Sequence, residues 1–321
     1  MVVGAAPKAV DDASLIGIDW GSTGMRGFLI DGSGKVLESR RSTEGASTLK
    51  GNAEFHAAYS RLVGDWVSEH PGLPVLACGM VGSKHGWQEA PYLSCPVDLA
   101  QLATGHATVA GSNLRIIPGL LHDPEHGTPD VMRGEETQIA GAVLSSPELA
   151  RASCIVLPGT HSKWAQISDE KVCDFSTHMT GELFALLRLY SVLGRSMEER
   201  HTSVDTQAFN DGVDAARDGG QRNLAQQLFS IRSQVLTEKL AVSASADYLS
   251  GLLIGHELRS GLAWRRAANQ EATPLVLVGE TDLCNLYAQA LERFDMQADL
   301  LLPNTAPLGM WNLARAGELI A

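Results

Sequence analysis

Residues able to do chemistry cluster where the chain turns. Asp19-Trp20-Gly21-Ser22-Thr23 sets a carboxylate at the end of an apolar run, followed by a glycine-containing turn. Glycine lets a backbone approach phosphate oxygens, and Ser22 and Thr23 can donate to them through hydroxyls and N–H groups. Beside such phosphates, Asp19 suits a Mg²⁺ ion held directly or through water. The same five residues also suit a plain hairpin with Asp19 as a turn residue. A second turn of this kind, Leu157-Pro158-Gly159-Thr160-His161-Ser162-Lys163, comes later in the chain and adds the cation Lys163. Two such turns at matching places of a duplicated pattern point to a phosphate site more strongly than either alone. Neither fits G-x-x-x-x-G-K-[ST] or G-x-G-x-x-G, so P-loop and dinucleotide-binding readings fail. H-E-x-x-H and G-x-S-x-G are absent too.

Three further segments carry candidate groups. Pro129-Asp130-Val131-Met132-Arg133-Gly134-Glu135-Glu136-Thr137-Gln138 puts two carboxylates at a helix start, where the dipole favours them. They are either ordinary N-terminal charges or include a base that takes a proton from a hydroxyl. Adjacent helix residues point about 100° apart, so only one of them can be that base. Cys78–Tyr92, reading CGMVGSKHGWQEAPY, is a glycine-punctuated loop after an apolar run. Loops beyond the carboxyl ends of strands are where α/β sheets bind ligands. Ser83, Trp87 and Tyr92 would offer a polyhydroxylated substrate hydroxyl partners and an apolar wall. A packed loop anchored by Trp87 fits the pattern equally. Val278-Gly279-Glu280-Thr281 would let an adenine lie against Gly279, or is a plain strand-to-helix turn. The ten histidines show no ligand spacing, so no metal beyond Mg²⁺ with nucleotide is expected.

Holding these turns in place requires sheets. Leu15–Trp20, Met25–Ile30 and Lys35–Arg41 are separated by Gly21–Gly24 and Asp31–Gly34, which describes an antiparallel meander. An amphipathic helix follows, with Asn52 as its N-cap and Phe55, Tyr59, Leu62 and Trp66 on one face. Leu73–Met80 and Leu114–Pro118 read as strands and Arg133–Leu144 as a helix. The second half opens alike, with strands at Cys154–Pro158, Lys163–Ser168 and Val172–Ser176. Helices at Glu182–Leu193, Ala246–Trp264 and Leu283–Phe294 alternate with strands at Leu275–Val278 and Gln297–Leu302 before a last helix, Pro307–Ala316. Each half thus reads as three strands, then helices alternating with strands, an α/β fold of mixed sheets flanked by helices. The expected organisation is a flexible tail over 1–14, an N-terminal domain over 15–148 and a C-terminal domain over 149–321. The first turn and the substrate loop fall in the N-terminal domain, the second turn and the Gly279 turn in the C-terminal one. The polar stretch at about 194–221 is expected to be a mobile insertion with little core of its own.

Composition sets the class. The chain has 321 residues, 44% of them hydrophobic and 19% charged, an ordinary globular composition with length for two domains. Its 25 Lys and Arg against 37 Asp and Glu give a formal charge of −12. That excludes a general nucleic-acid binder and still allows a small anionic substrate captured by local cations. Five cysteines, an odd number without C-x-x-C, fit a reducing, cytoplasmic compartment and no structural zinc. No apolar run reaches the roughly 18 residues of a membrane helix. The opening MVVGAAPKAVDD lacks the charged n-region of a signal peptide. The expected partner is a small molecule, neither nucleic acid nor membrane, with the oligomeric state open and a homodimer among the options.

Together the turns resemble those of the superfamily of acetate and sugar kinases, heat-shock ATPases and actin. In that superfamily two actin-like, ribonuclease H-like half-domains of βββαβαβα topology clasp ATP in an interdomain cleft. Asp19–Thr23 is similar to the first phosphate hairpin, Gly159–Lys163 to the second, and Gly279–Thr281, with Glu280, to the adenosine turn. The ordered motifs DWGST-x-MR, CGMVGS-x-x-GW-x-EAPY-x-x-CP, PDVMRGEETQ, LPGTHSKW and HMTGELF resemble the 2-dehydro-3-deoxygalactonokinase family over about residues 15–315. This resemblance implies phosphorylation of the 6-hydroxyl of 2-dehydro-3-deoxy-galactonate by ATP with Mg²⁺, in galactonate breakdown. Gly134-Glu135-Glu136 also resembles the Gly-Glu-Glu stretch of exopolyphosphatases, whose second Glu is the base. That carry-over ranks Glu136 first as base. Asp130 is second, because many sugar kinases use an Asp near this point, and Glu135 is third. Asp19 would position the metal and Lys163 would neutralise phosphate charge. Arg133, or else Arg26, would grip the substrate carboxylate with two hydrogen bonds. A kinase for another sugar or sugar acid, a polyphosphate or nucleotide phosphohydrolase and an ATP-binding scaffold are the alternatives on the same fold.

Overall fold

A computed structural model of the chain describes residues 12–197, 204–220 and 222–321. They form two compact units. The first holds the described residues up to Arg151 together with 167–174 and 304–321, and the second holds 152–166 and 175–303. The tail expected over 1–14 lies outside the described residues as far as residue 11, and the first strand already starts at Ala13.

In the first unit, β1 (Ala13–Trp20), β2 (Met25–Asp31) and β3 (Val36–Ser42) form the expected antiparallel meander. Helix α1 (Gly51–Glu69) buries Phe55, Tyr59, Leu62 and Trp66, as their spacing requires. Asn52 is not its cap: the cap position is Lys50, whose N–H donates to the Glu54 carboxylate at 2.7 Å. A glutamate in the first turn here satisfies the backbone donor that an N-cap side chain would otherwise serve. β4 (Val75–Gly79) lies parallel to β1. The crossover that follows contains no α-helix. It runs through β5 (Tyr92–Ser94), β6 (Val97–Asp98), a 3-10 turn at Leu99–Ala103 and β7 (Ala107–Thr108). β8 (Leu114–Ile116) then joins β4 in parallel, giving the order β3-β2-β1-β4-β8-β7. β9 (Gly119–His122) and β10 (Asp130–Met132) form a separate sheet of order β10-β9-β5, followed by α2 (Glu135–Ser145). Its strands are three or four residues long, too short to display a period of two in the sequence.

The second unit repeats the plan. β11 (Ala152–Leu157), β12 (Ser162–Ser168) and β13 (Lys171–His178) are followed by α3 (Thr180–Tyr190), α4 (Thr206–Asp218), α5 (Leu224–Leu236) and α6 (Ser245–Ala267). Then come β14 (Leu275–Val278), α7 (Thr281–Glu292) and β15 (Leu300–Leu302). The strand order β15-β14-β11-β12-β13 matches β8-β4-β1-β2-β3. In both, the first strand lies centrally between its hairpin partner and a parallel neighbour. This is the ribonuclease H-like order that the resemblance implies. Lys171 and Val172, which group with the first unit, pair with β6.

The described part of the stretch 194–221 has a core of its own in α4. α4 is capped by Asp205, which accepts the Ala208 N–H at 3.0 Å. It buries Ala208, Phe209, Val213 and Ala216, while Asp211, Asp214 and Arg217 lie outside this apolar face. The polar count across the segment conceals that one-sided pattern. Residues 198–203 and 221 lie outside the described set. The last helix, α8 (Ala306–Ala316), groups with the first unit rather than the C-terminal half. It crosses α2 closely. A Cβ on Gly141 would lie 2.1 Å from the Thr305 carbonyl oxygen, and one on Gly309 would lie 1.9 Å from that of Thr137. Among the described residues no helix is long and apolar enough to cross a membrane.

Candidate active site

In the first unit, the parallel strands β1, β4 and β8 end at one edge, and β1 brings Asp19 there. The Asp19 side chain is only 16% exposed. Its Oδ2 accepts from Arg26 Nη2 at 3.2 Å, the Cys78 thiol lies 3.9 Å from Oδ1, and the Asn304 side chain donates to it as well. Burial raises the Asp19 carboxyl above its ordinary value, while Arg26, Asn304 and Cys78 pull it back down. In the adjoining turn, the Gly21 and Ser22 carbonyls accept from the N–H groups of Ala46 (2.9 Å) and Ser47 (3.0 Å). The turn is thereby pinned from behind, with Ser22 and Thr23 exposed at its tip. Arg26 is engaged by Asp19.

The start of α2 lies near the same edge. Glu136 is fully buried. Its Oε2 accepts the Gly134 N–H at 2.6 Å and its Oε1 accepts the Thr137 hydroxyl at 2.9 Å. Burial pushes its carboxyl up to about 7, the charge of Glu135 adds to the rise, and the Thr137 and Gly134 donors oppose it. Glu135 accepts the Arg133 N–H at 3.1 Å. Asp19, Glu136 and Glu135 together act on the buried Cys78 thiol, which burial first and then these charges hold well above its ordinary value. Asp130, at the start of β10, accepts the Val131 N–H at 2.7 Å and is half-buried.

Arg133 is held from two sides. Its Nη2 donates to the Ala90 carbonyl at 2.8 Å, and its guanidinium carbon stands 4.3 Å from the centre of the exposed Tyr92 ring. Its Nε and Nη1 are buried without a hydrogen-bond partner. A buried guanidinium in that condition is costly unless something else meets it. Trp87 is buried among Trp20, Phe55, Tyr59 and His56, so it anchors the loop. Ser83 is half-buried where that loop turns.

In the second unit, Gly159-Thr160-His161 join β11 to β12 and pack on the first turn of α3. The Glu182 N–H donates to the Thr160 carbonyl at 3.0 Å. A Cβ on Gly181 would lie 2.5 Å from the Gly159 carbonyl oxygen. His161 Nε2 pairs with Glu182. Ser162 turns inward: its hydroxyl meets that of Tyr287 at 3.0 Å. Lys163 is buried, and its Nζ donates to Thr177 on β13 at 2.7 Å. Beside the turn lies a cavity of about 380 Å³. Gly159, Thr160, Gly181 and the exposed Glu280 edge it, with Phe184 and Leu286 among its apolar lining. Gly279 closes β14 next to Glu280. Among the described residues no group of three or more His, Cys, Asp or Glu side chains is gathered to hold a metal.

Sequence reasoning missed Cys78 and Asn304 beside Asp19, and Thr180, Glu257 and Tyr287 behind the second turn. Cys78 and Thr180 lie inside the motifs CGMVGS and HMTGELF, and Glu257 is a carboxylate in the largely apolar stretch Leu252–Leu258.

Two sheets of one strand order, each ending its central strand in a glycine-containing turn, define the actin-like, ribonuclease H-like ATPase fold. The activator of 2-hydroxyisocaproyl-CoA dehydratase from Clostridium difficile, solved with bound ADPNP, shares that fold at a TM-score of 0.50 and 14% identity, over 95% of this chain and 96% of its own. Residues 19–313 match the family model of 2-keto-3-deoxy-galactonokinase, and the chain belongs to that family of sugar-acid kinases. The 2-dehydro-3-deoxygalactonokinase of Escherichia coli K12 is 38% identical over 307 residues, 95% of this chain and 98% of that protein. A probable 2-dehydro-3-deoxygalactonokinase of Rhizobium meliloti is 38% identical over 86% of this chain and 88% of its own. The crystal structure of a protein of the same description from Sinorhizobium meliloti superposes at a TM-score of 0.82 with 34% identity, over 95% of this chain and 98% of its own.

Proposed function

We propose that this kinase transfers the γ-phosphoryl group of ATP to the 6-hydroxyl of 2-dehydro-3-deoxy-galactonate, in the cytoplasm. The observation that carries the choice of a sugar acid is Arg133. A buried guanidinium with two N–H groups lacking protein partners suits the carboxylate of a sugar acid better than a neutral sugar. Tyr92 stacks on it and the Ala90 carbonyl fixes its far side, so the fork is oriented before substrate arrives. The cavity beside Gly159 and Glu280 is apolar along much of its lining and large enough for a nucleoside. It takes the adenosine, with the phosphates toward the Thr160 turn. The five cysteines, all free, fit a reducing compartment.

Mg²⁺ fits the donor set, since one carboxylate, Asp19, suffices for an ion that takes its other oxygens from phosphates and water. When bound, the ion neutralises phosphate charge. Glu136 takes the proton of the acceptor hydroxyl, for which a carboxylate held near 7 is suited. The test is a coupled ADP assay with Mg²⁺-ATP over 2-keto-3-deoxy-galactonate, its gluconate epimer, several aldoses and no acceptor. ADP formation that requires the galactonate-derived acid is the expected result. Equal turnover without acceptor would mean a hydrolase, and preference for an aldose would remove the role given to Arg133.

A further inference from the structure

Behind the second turn, one carboxylate collects donors from three parts of the chain. Glu257, on α6, is 3% exposed. Its Oε1 accepts the Trp164 indole N–H at 3.0 Å, and its Oε2 accepts the hydroxyls of Tyr287, at 2.6 Å, and Thr180. The Tyr287 hydroxyl then meets Ser162 Oγ at 3.0 Å, and Ser162 Oγ accepts the Gly159 N–H at 3.3 Å. A buried charge is tolerated when it is hydrogen-bonded in this way, and each partner's position then depends on the others. Thr180 begins α3 and Ser162 ends the turn, so the network fixes the two elements that meet at Gly181 and Thr160. Those elements, with Tyr287 itself, edge the 380 Å³ cavity. The sheet's own β11–β12 and β11–β14 pairings are made by backbone.

We propose that Glu257 and Tyr287 are positioning residues for the nucleotide, acting through Ser162 and Thr180 to set the second turn and the first turn of α3 as one surface. The proposal rests on reading the cavity as the nucleotide site. The wild-type chain and the variants Tyr287→Phe, Glu257→Gln and Ser162→Ala are titrated with Mg²⁺-ATP at saturating sugar acid, and with sugar acid at saturating ATP. Each is also melted with and without Mg²⁺-ATP. Tyr287→Phe removes one hydroxyl and keeps the ring, and it is expected to raise KM for ATP about tenfold. KM for the sugar acid should change less than about twofold, and the rise in Tm that ATP gives should shrink. Glu257→Gln should move the same parameters in the same direction. A lower Tm with both KM values unchanged, or an equal rise in both, would overturn the proposal in favour of a purely structural network. If Tyr287→Phe does not fold, Ser162→Ala makes the same test from the hairpin end. A wild-type chain whose Tm does not respond to ATP overturns the nucleotide reading and the proposal together. A wild-type response that the variants keep in full overturns the proposal alone.

Discussion

A carboxylate that burial holds up to about 7 accepts protons at neutral pH and weakens the fold above it, and Glu136 is such a group. Its folded value lies above the ordinary 4.5, so between those limits the folded chain keeps a proton that the unfolded chain releases. Its contribution to stability is therefore fullest below pH 4.5 and is lost as pH rises through 7, by roughly 3 kcal/mol over the window. Glu136→Gln should flatten that part of the profile, leaving the variant more stable than wild type at pH 8 and close to it at pH 4.5. Its kcat should fall at least about 100-fold if the carboxylate is the base. Urea unfolding at the two pH values reads the first effect and steady-state kinetics the second. Identical pH slopes in the two proteins would mean that Glu136 is ionised throughout. Arg133 lends itself to a milder change. Arg133→Lys keeps the charge and loses the fork, so KM for the sugar acid should rise about tenfold while KM for ATP stays put. A shift in ATP affinity instead would move Arg133 to the phosphates. The sequence put Asp19 at a strand end and Glu135 and Glu136 at a helix start, where the structure has them, while the ranking of Glu136 first as base came from the resemblance. Ser162 and Trp87 were not legible, because the direction of a side chain at a turn is decided by what packs behind it. For Ser162 that is Tyr287, 125 residues further on.

At the scale of elements, the crossing of α2 with α8 links the candidate base to the candidate metal ligand. Thr305 donates its hydroxyl to the Gln138 carbonyl at 2.6 Å, while Asn304 accepts the Ala306 N–H at 2.9 Å and donates to Asp19. The start of α8 is thus tied to α2 on one side and to Asp19 on the other. The crossing closes because Gly141 and Gly309 present no side chain. Gly141→Ala places a methyl against the Thr305 backbone. It should cost about 1–3 kcal/mol, as overpacking does, and lower kcat with it by disturbing Asn304. Urea midpoints measure the first, and an unchanged midpoint would mean that the helices part without strain. Helix α8 itself was legible, since Ala306-Pro307 opens an apolar-periodic run. Its place was not, because nothing local says that the last helix returns to the first unit. α4 failed to show for a different reason, its apolar residues being outnumbered by polar and charged ones taken together. The short strands β5, β9 and β10, which carry Tyr92 and Asp130 and lead into Arg133, left no periodic trace.

At the scale of the molecule, the duplicated strand order was readable because each half repeats apolar run, glycine turn and apolar run in the same sequence. Each unit also has its own core. One is gathered around Trp20, Phe55 and Trp66, another around Trp164, Phe209 and Tyr287. Units with separate cores can open separately, and a ligand slows amide exchange in the part whose folded form it binds. At a hundred times Kd the gain is about 2.7 kcal/mol, enough to slow exchange roughly 100-fold where opening is a rapid pre-equilibrium. A non-hydrolysable ATP analogue with Mg²⁺ should therefore protect residues 157–163, 180–187 and 279–287, which form or flank the second-unit cavity. The sugar acid alone should protect 79–93 and 130–136, the segments around Arg133 and Glu136. Hydrogen exchange followed by mass spectrometry separates the two patterns. Protection by the sugar acid confined to the second unit would show that its carboxylate is held there and not by Arg133. Protection by the analogue confined to 79–136 would take the adenosine out of the cavity beside Gly159.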